Sequence, residues 1–96
     1  MGENDANQRC AQEATIDPDH ISRARAHALE LGAAPIRPAV GAQCAVIAAS
    51  SAALNIVEIG TGAGVSGLWL LHGAPRAILT TIDSEPEHLG AARQAF

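Results

Sequence analysis

A short apolar stretch that runs directly into a glycine-rich turn limits the fold of this chain more than any other feature. Residues 56–59 are apolar except for one acid, and glycine then occupies every second position from Gly60 to Gly64. The apolar stretch predicts a short strand, and the glycines allow a tight turn whose bare backbone can lie against a ligand. Residues 65–71 predict a helix, and the aliphatic and β-branched residues 77–82 predict a second buried strand.

The order strand, helix, strand predicts a βαβ unit and places the chain in the α/β class. A right-handed crossover makes the two strands of such a unit parallel. The glycine turn then lies at the carboxyl end of the first strand, which is the edge at which open α/β sheets bind ligands. We therefore expect a ligand site beside residues 60–64.

Two helices are predicted before this unit. Residues 17–32 predict a helix that Asp17 caps, with Arg25 on its solvated surface. Residues 33–37 predict an extended loop, because two prolines push the residues before them away from helical geometry. Residues 38–53 predict a helix that is apolar almost all round and is therefore expected to pack on several sides.

The remaining sequence limits the number of domains. A chain of 96 residues has room for one small domain. Residues 1–14 are polar and without periodicity, which predicts a disordered tail, and residues 15–96 predict the ordered domain. Ser84 and Glu87 have the spacing of a capping box, which predicts the start of its last helix.

Charge and composition argue against several classes of partner. The net charge is −4, from ten acidic and six basic residues, so a basic face for nucleic acid is not expected. The longest apolar stretch, residues 42–54, is too short to cross a bilayer, and no membrane association is predicted. The first residues lack the pattern of a signal peptide, which favours a cytoplasmic location. Two cysteines in unlike settings indicate neither a disulfide framework nor a metal cluster.

Two acids at the predicted strand ends distinguish between nucleotide ligands. Residues 62–67 read as G-x-G-x-x-G, a weak signal for a dinucleotide such as NAD. Glu58 would repel a pyrophosphate by roughly several kcal/mol in a poorly solvated pocket, whereas it would attract the ammonium and sulfonium of S-adenosylmethionine. Asp83 ends the second strand and could accept both ribose hydroxyls of either cofactor. The sign of Glu58 therefore favours the methyl donor.

The sequence around the turn also resembles a known family. The stretch VEIGTGAGVS at residues 57–66, together with LTTID at residues 79–83, is similar to the first motif of class I S-adenosylmethionine-dependent methyltransferases. It resembles most the bacterial O-methyltransferases of the catechol O-methyltransferase-like group, and the helix start at residues 38–41 fits that group too. The resemblance covers about residues 21–96. It implies the N-terminal part of a Rossmann-like methyltransferase fold, with two parallel strands and about four helices.

The resemblance also implies a set of cofactor contacts. Three residues of the strand end and turn would line the methionine part of S-adenosylmethionine, a serine would bond its carboxylate, an aspartate would hold the ribose, and an isoleucine in the loop would approach through its backbone. The cofactor-binding residues predicted in this way, with one further glycine of the turn, are Ile36, Glu58, Gly60, Thr61, Gly62, Ser66 and Asp83.

The family transfers a methyl group to a hydroxyl of a small molecule and uses a divalent metal, usually magnesium, to bind and activate that acceptor. Its metal ligands and catalytic base lie in the loops of later strands, and this sequence ends before them. The chain is therefore expected to be a truncated domain that is inactive alone, with no catalytic residue named. Two alternatives stay open, an NAD(P)-dependent oxidoreductase fragment and a non-catalytic truncated product, as does a homodimer of the full-length form.

Overall fold

A computed structural model describes residues 15–96, so the tail predicted at residues 1–14 lies outside the described part of the chain. Four helices and two strands follow one another in the predicted order. The elements are α1 (Asp19–Glu30), α2 (Pro38–Ser50), β1 (Asn55–Ile59), α3 (Val65–Gly73), β2 (Ile78–Ile82) and α4 (Pro86–Ala95). The α/β class and the βαβ unit are confirmed.

The two strands pair in parallel, with Glu58 opposite Thr81 and Ile59 opposite Ile82. Both strands therefore end at the same edge of the sheet, which brings the glycine turn after β1 next to Asp83 after β2. One face of this pair is half-buried, and the other is open, with Ile59 79% exposed. The prediction of a buried strand at residues 77–82 is wrong for that face, because no described element packs extensively on it.

The core is built largely from alanine and lies between the helices. Its buried members are Ile21, Ala24, Ala28, Ala45, Ala63, Val65, Leu68, Trp69 and Ala91. Small residues let helices pack closely, and the most extensive contact between helices is that of α2 with α3. A Cβ at Gly41 would lie 2.6 Å from Trp69 Cγ, so the indole ring occupies the space that a side chain would need. Glycine at position 41 is therefore required by the packing of the two helices.

The helix α2 packs by one face only, through Gly41, Ala45 and Ala48. Val46 and Ile47, on its other side, are exposed. The prediction that this helix packs on several sides is therefore wrong among residues 15–96, since only α3 makes an extended contact with it.

Two predicted helix ends also differ from the structure. The helix α2 stops at Ser50 and not near residue 53, because Ala52 adopts a left-handed φ of 49°. No capping box forms at α4, whose N-cap is Glu85 and has no side-chain cap bond. Instead, the Glu85 N–H donates to Asp83 Oδ1 at 2.9 Å, so the strand-end aspartate binds the backbone of the N-cap residue. Pro86, with its preset φ, then begins the helix.

Candidate functional site

A cleft of about 170 Å³ lies between the glycine turn and the loop before α2. One wall is the loop, the other is the turn with the start of α3, and His88 of α4 closes one side. The lining residues are Ala33, Ala34, Pro35, Ile36, Gly60, Thr61, Gly62, Ala63, Val65, Ser66 and His88. Five of the seven residues predicted to bind cofactor are among them. Glu58 and Asp83 are not, and each instead bonds to a lining residue from behind.

The turn presents smooth backbone to the cleft. Gly60, Gly62 and Gly64 have φ values of 91°, 54° and 97°, a region that side chains other than glycine rarely adopt. A Cβ at Gly60 or Gly62 would meet nothing within 4 Å, so the surface beside them is open to a ligand. This is the bare-backbone surface that the sequence predicted.

The N–H groups of these three glycines already have acceptors. Gly60 donates to the Ile82 carbonyl at 2.7 Å and Gly64 to the Thr61 carbonyl at 3.2 Å. Gly62 donates to Asp83 Oδ2 at 2.9 Å. A diphosphate bound at this turn would therefore find the three glycine N–H groups in use, and would face a carboxylate at Gly62. The N–H groups of Thr61 and Ala63 have no acceptor among the described residues. Further free donors lie at the start of α3, where the first N–H groups of a helix have no intrahelical acceptor.

Glu58 receives a converging set of hydroxyl groups. Ser66 Oγ donates to Glu58 Oε2, and Thr81 Oγ1 donates to Oε1 at 2.9 Å. Thr61 Oγ1 lies 2.7 Å from Thr81 Oγ1. Since a hydroxyl has one hydrogen and that of Thr81 is directed to Glu58, Thr61 is the donor in this pair. Ser66 and Thr81 thus orient the carboxylate of Glu58 directly. Thr81 also provides the acceptor for the hydroxyl of Thr61, a residue that is only 2% exposed.

Asp83 accepts one backbone hydrogen bond on each carboxylate oxygen, from Gly62 and from Glu85. The bond from Glu85, then that from Gly62, hold the pKa of Asp83 below its ordinary value of 3.8; desolvation opposes them, and His88 adds a smaller lowering. Hydrogen bonds to the charged form stabilise that form, so Asp83 stays an ionised acceptor at neutral pH. Each oxygen keeps a further lone pair for a ligand hydroxyl.

Arg25 and Asp17 form a cluster that the sequence interpretation missed. Arg25 Nε and Nη2 donate to the two Asp17 carboxylate oxygens at 2.6 and 3.1 Å, and Nη1 donates to the Ile36 carbonyl. Trp69 Nε1 also donates to Asp17, at 3.2 Å. The prediction that Arg25 lies on solvated surface is wrong, and so is that of an Asp17 cap, since the helix N-cap is Pro18. Asp17 and Arg25 are eight residues apart, a spacing that does not predict an ion pair between neighbouring residues of a helix.

The sequence interpretation also missed Thr81, which bonds to Glu58, and His88, which lines the cleft, although the sequence contains a weak indication of each. Thr81 is one residue before the end of β2, as Glu58 is before the end of β1, so aligning the strand ends would have paired them. His88 lies in the first turn of the helix that follows β2, at the same edge of the sheet.

The part of the chain from residue 15 onward offers no group of three histidine, cysteine or acidic side chains that could hold a metal ion. The magnesium expected from the family resemblance therefore has no fitting site among these residues. No helix within the same range is long and apolar enough to span a membrane.

Relatives of known sequence cover most of this chain. A protein of Mycobacteroides abscessus, provisionally named an O-methyltransferase, is 53% identical over 87 residues, which is 90% of this chain and 40% of that protein. A similarly named protein of Mycobacterium tuberculosis is 52% identical over 86 residues, covering 88% of this chain and 38% of the relative. The chain thus spans about 40% of the length of the curated relatives it matches. No protein-family model matches it.

Solved structures share the fold. The O-methyltransferase of Bacillus cereus in complex with SAH (S-adenosylhomocysteine) has a TM-score of 0.80 at 23% identity, over 94% of this chain and 43% of that one. The Streptomyces achromogenes O-methyltransferase involved in tomaymycin synthesis, in complex with SAM (S-adenosylmethionine), has a TM-score of 0.79 at 22% identity, over 99% and 46%. Over about nine-tenths of its length, this chain is therefore similar to the N-terminal portion of proteins provisionally named O-methyltransferases, and it has the Rossmann-like methyltransferase fold.

Proposed function

We propose that this chain is the cofactor-binding portion of a SAM-dependent O-methyltransferase that methylates a hydroxyl of a small molecule. The observation that carries the proposal is the turn itself, where all three glycine N–H groups have acceptors and two carboxylates stand behind the cleft. Such a site disfavours a diphosphate and favours a ligand with positive charge. The relatives named as O-methyltransferases, and the SAM and SAH in the structural neighbours, support the same ligand.

We propose that Asp83 accepts the ribose hydroxyls and that Glu58 lies near the ammonium and sulfonium. Asp83 is suited to this role because it is ionised and keeps lone pairs beside its two backbone bonds. When bound, SAM supplies a methyl group activated by its sulfonium. The glycine backbone at positions 60 and 62 lets the cofactor approach without meeting a side chain.

Existing hydrogen bonds limit the contacts that Ser66 and Ile36 can make with the cofactor. Ser66 has one hydroxyl hydrogen and gives it to Glu58, so it reaches the cofactor carboxylate only by turning away. We therefore propose that N–H groups of the first turn of α3 are the primary donors to that carboxylate. At Ile36 the carbonyl is used by Arg25, whereas the N–H bonds to no residue in the described range. The proposed backbone contact of Ile36 is thus through its N–H.

Catalysis itself is proposed to need more chain than is present. The described residues provide no metal site, and no residue among them is assigned as a catalytic base. We propose that the acceptor pocket and the magnesium ligands belong to the portion of the relatives that this chain does not span, about 60% of their length (100% − 40%). The isolated chain is then expected to bind cofactor without transferring a methyl group. A homodimer of the full-length form stays part of the proposal.

Isothermal titration of the 96-residue chain against SAM, NAD⁺ and NADP⁺ tests the proposal. We expect heat of binding with SAM alone. Glu58→Gln removes the charge behind the cleft and should weaken SAM binding about tenfold or more, as for the loss of one charge-assisted interaction. Glu30→Gln, at an exposed position of α1, removes the same charge far from the turn and serves as the control. Binding of a nicotinamide cofactor without binding of SAM would overturn the assignment.

A further inference from the structure

We propose that Arg25 is a positioning residue that holds the loop wall of the cleft and thereby sets the affinity for cofactor. This inference rests on the proposed function, because it concerns the same cleft. Arg25 does not line the cleft, so its effect would pass through the loop at residues 33–36.

The loop has few other attachments. The Ala33 N–H donates to the Ala28 carbonyl at 2.9 Å, and the Arg37 carbonyl accepts from Gly41 at 3.0 Å. Between these two points, residues 34–36 have one hydrogen bond within the described chain, the bond from Arg25 Nη1 to the Ile36 carbonyl. All three of these residues line the cleft. Ile36 also packs against the core, so a single guanidinium is the hydrogen-bond restraint on the segment that forms one wall.

The guanidinium is itself held in place. Asp17 binds it through both carboxylate oxygens, a fork geometry that fixes orientation as well as distance. The side chains of Arg25 and Asp17 are only 18% and 9% exposed, so solvent screens the pair weakly. Lysine could not reproduce this arrangement, because a single ammonium cannot present the same planar fork.

The cluster also reaches the opposite wall. Trp69 donates its indole N–H to Asp17, and it lies on α3, whose first residues Val65 and Ser66 line the other side of the cleft. The connection runs from the Ile36 carbonyl through Arg25 and Asp17 to Trp69. The separation of the two walls is therefore set by a group of side chains outside the cleft.

Arg25→Ala tests this role, and Arg23→Ala is the matched control. Arg23 lies on the same helix, is exposed, and has no ion pair with any residue from 15 to 96. Without ligand, we expect the ¹⁵N order parameter of Ile36 to fall from about 0.85 to below about 0.6 in Arg25→Ala. The Ala33 N–H, which keeps its own bond, should change little. The dissociation constant for SAM should rise about tenfold or more, the equivalent of one charge-assisted hydrogen bond.

The outcomes separate the two proposals. If the unmodified chain does not bind SAM, the proposed function and the role of Arg25 in cofactor binding both fall. If it binds SAM and Arg25→Ala binds within twofold, the positioning role is wrong and the proposed function stands. Should Arg25→Ala not fold, Arg25→Lys becomes the test, since it keeps a positive charge for Asp17. Order parameters and affinity equal to those of the unmodified chain in the lysine variant would then refute the inference.

Discussion

Replacing Thr81 with valine removes the middle hydroxyl from the chain of hydrogen bonds that ends on Glu58. Glu58 then loses the hydrogen bond from Thr81 and keeps the one from Ser66. Thr61, which is only 2% exposed, loses the acceptor of its hydroxyl group. A hydrogen bond to a charged group contributes about 1.5–3 kcal/mol, and a buried group left without a partner costs about 1–3 kcal/mol. Because Thr81 is half-buried, we expect the low ends to apply, which gives a loss of about 2.5 kcal/mol in the free energy of unfolding.

Urea denaturation of four variants measures this effect. Thr80→Val is the control, since Thr80 is exposed on the other face of β2 and has no side-chain bond in the described chain. Thr61→Val alone should cost only about 0.5–1.5 kcal/mol, because Thr81 still donates to Glu58. The double variant leaves no stranded hydroxyl at position 61, so its loss should be smaller than the sum of the single losses by about 1 kcal/mol. Losses that add within about 0.3 kcal/mol, or a Thr81→Val variant as stable as Thr80→Val, would refute the proposed direction of the hydrogen bonds.

Two further predictions concern packing and pH. Gly41→Ala should lower the free energy of unfolding by about 1–3 kcal/mol despite the better helix propensity of alanine, because its Cβ would lie 2.6 Å from Trp69 Cγ. Gly90→Ala, in α4 with nothing within 4 Å, should instead raise it by about 0.5–1 kcal/mol, and urea midpoints compare the two. Because the pKa of Asp83 is lowered in the folded chain, its ionised carboxylate stabilises the fold fully at pH values above its ordinary pKa of 3.8. This stabilisation is lost as the pH falls through the lower pKa of the folded chain. The stability difference between the unmodified chain and Asp83→Asn should therefore be constant from about pH 7 to pH 5 and shrink only at more acid pH; a change centred near pH 6 would contradict this.

The sequence alone determined the βαβ unit, the position of the glycine turn and the resemblance to O-methyltransferases. Each of these depends on neighbours in the chain: apolar residues in short runs, glycine at alternate positions, and an acid at or near the end of each strand. The parallel pairing followed from the general handedness of crossovers, and the structure confirms it. The seven residues predicted to bind cofactor remain predictions, although the structure brings them to one edge of the sheet.

Only the tertiary structure decided how the acids are used and what holds the cleft. The partner of Glu58, Thr81, is 23 residues away, and Trp69 meets Asp17 across 52 residues. No periodicity in the sequence reports such contacts, so Arg25 was assigned to solvent and Asp17 to a helix cap. The exposed side of α2 and the open sheet face were misjudged for a related reason. Apolar composition tells how readily a surface can be buried, whereas the elements that are present decide whether it is.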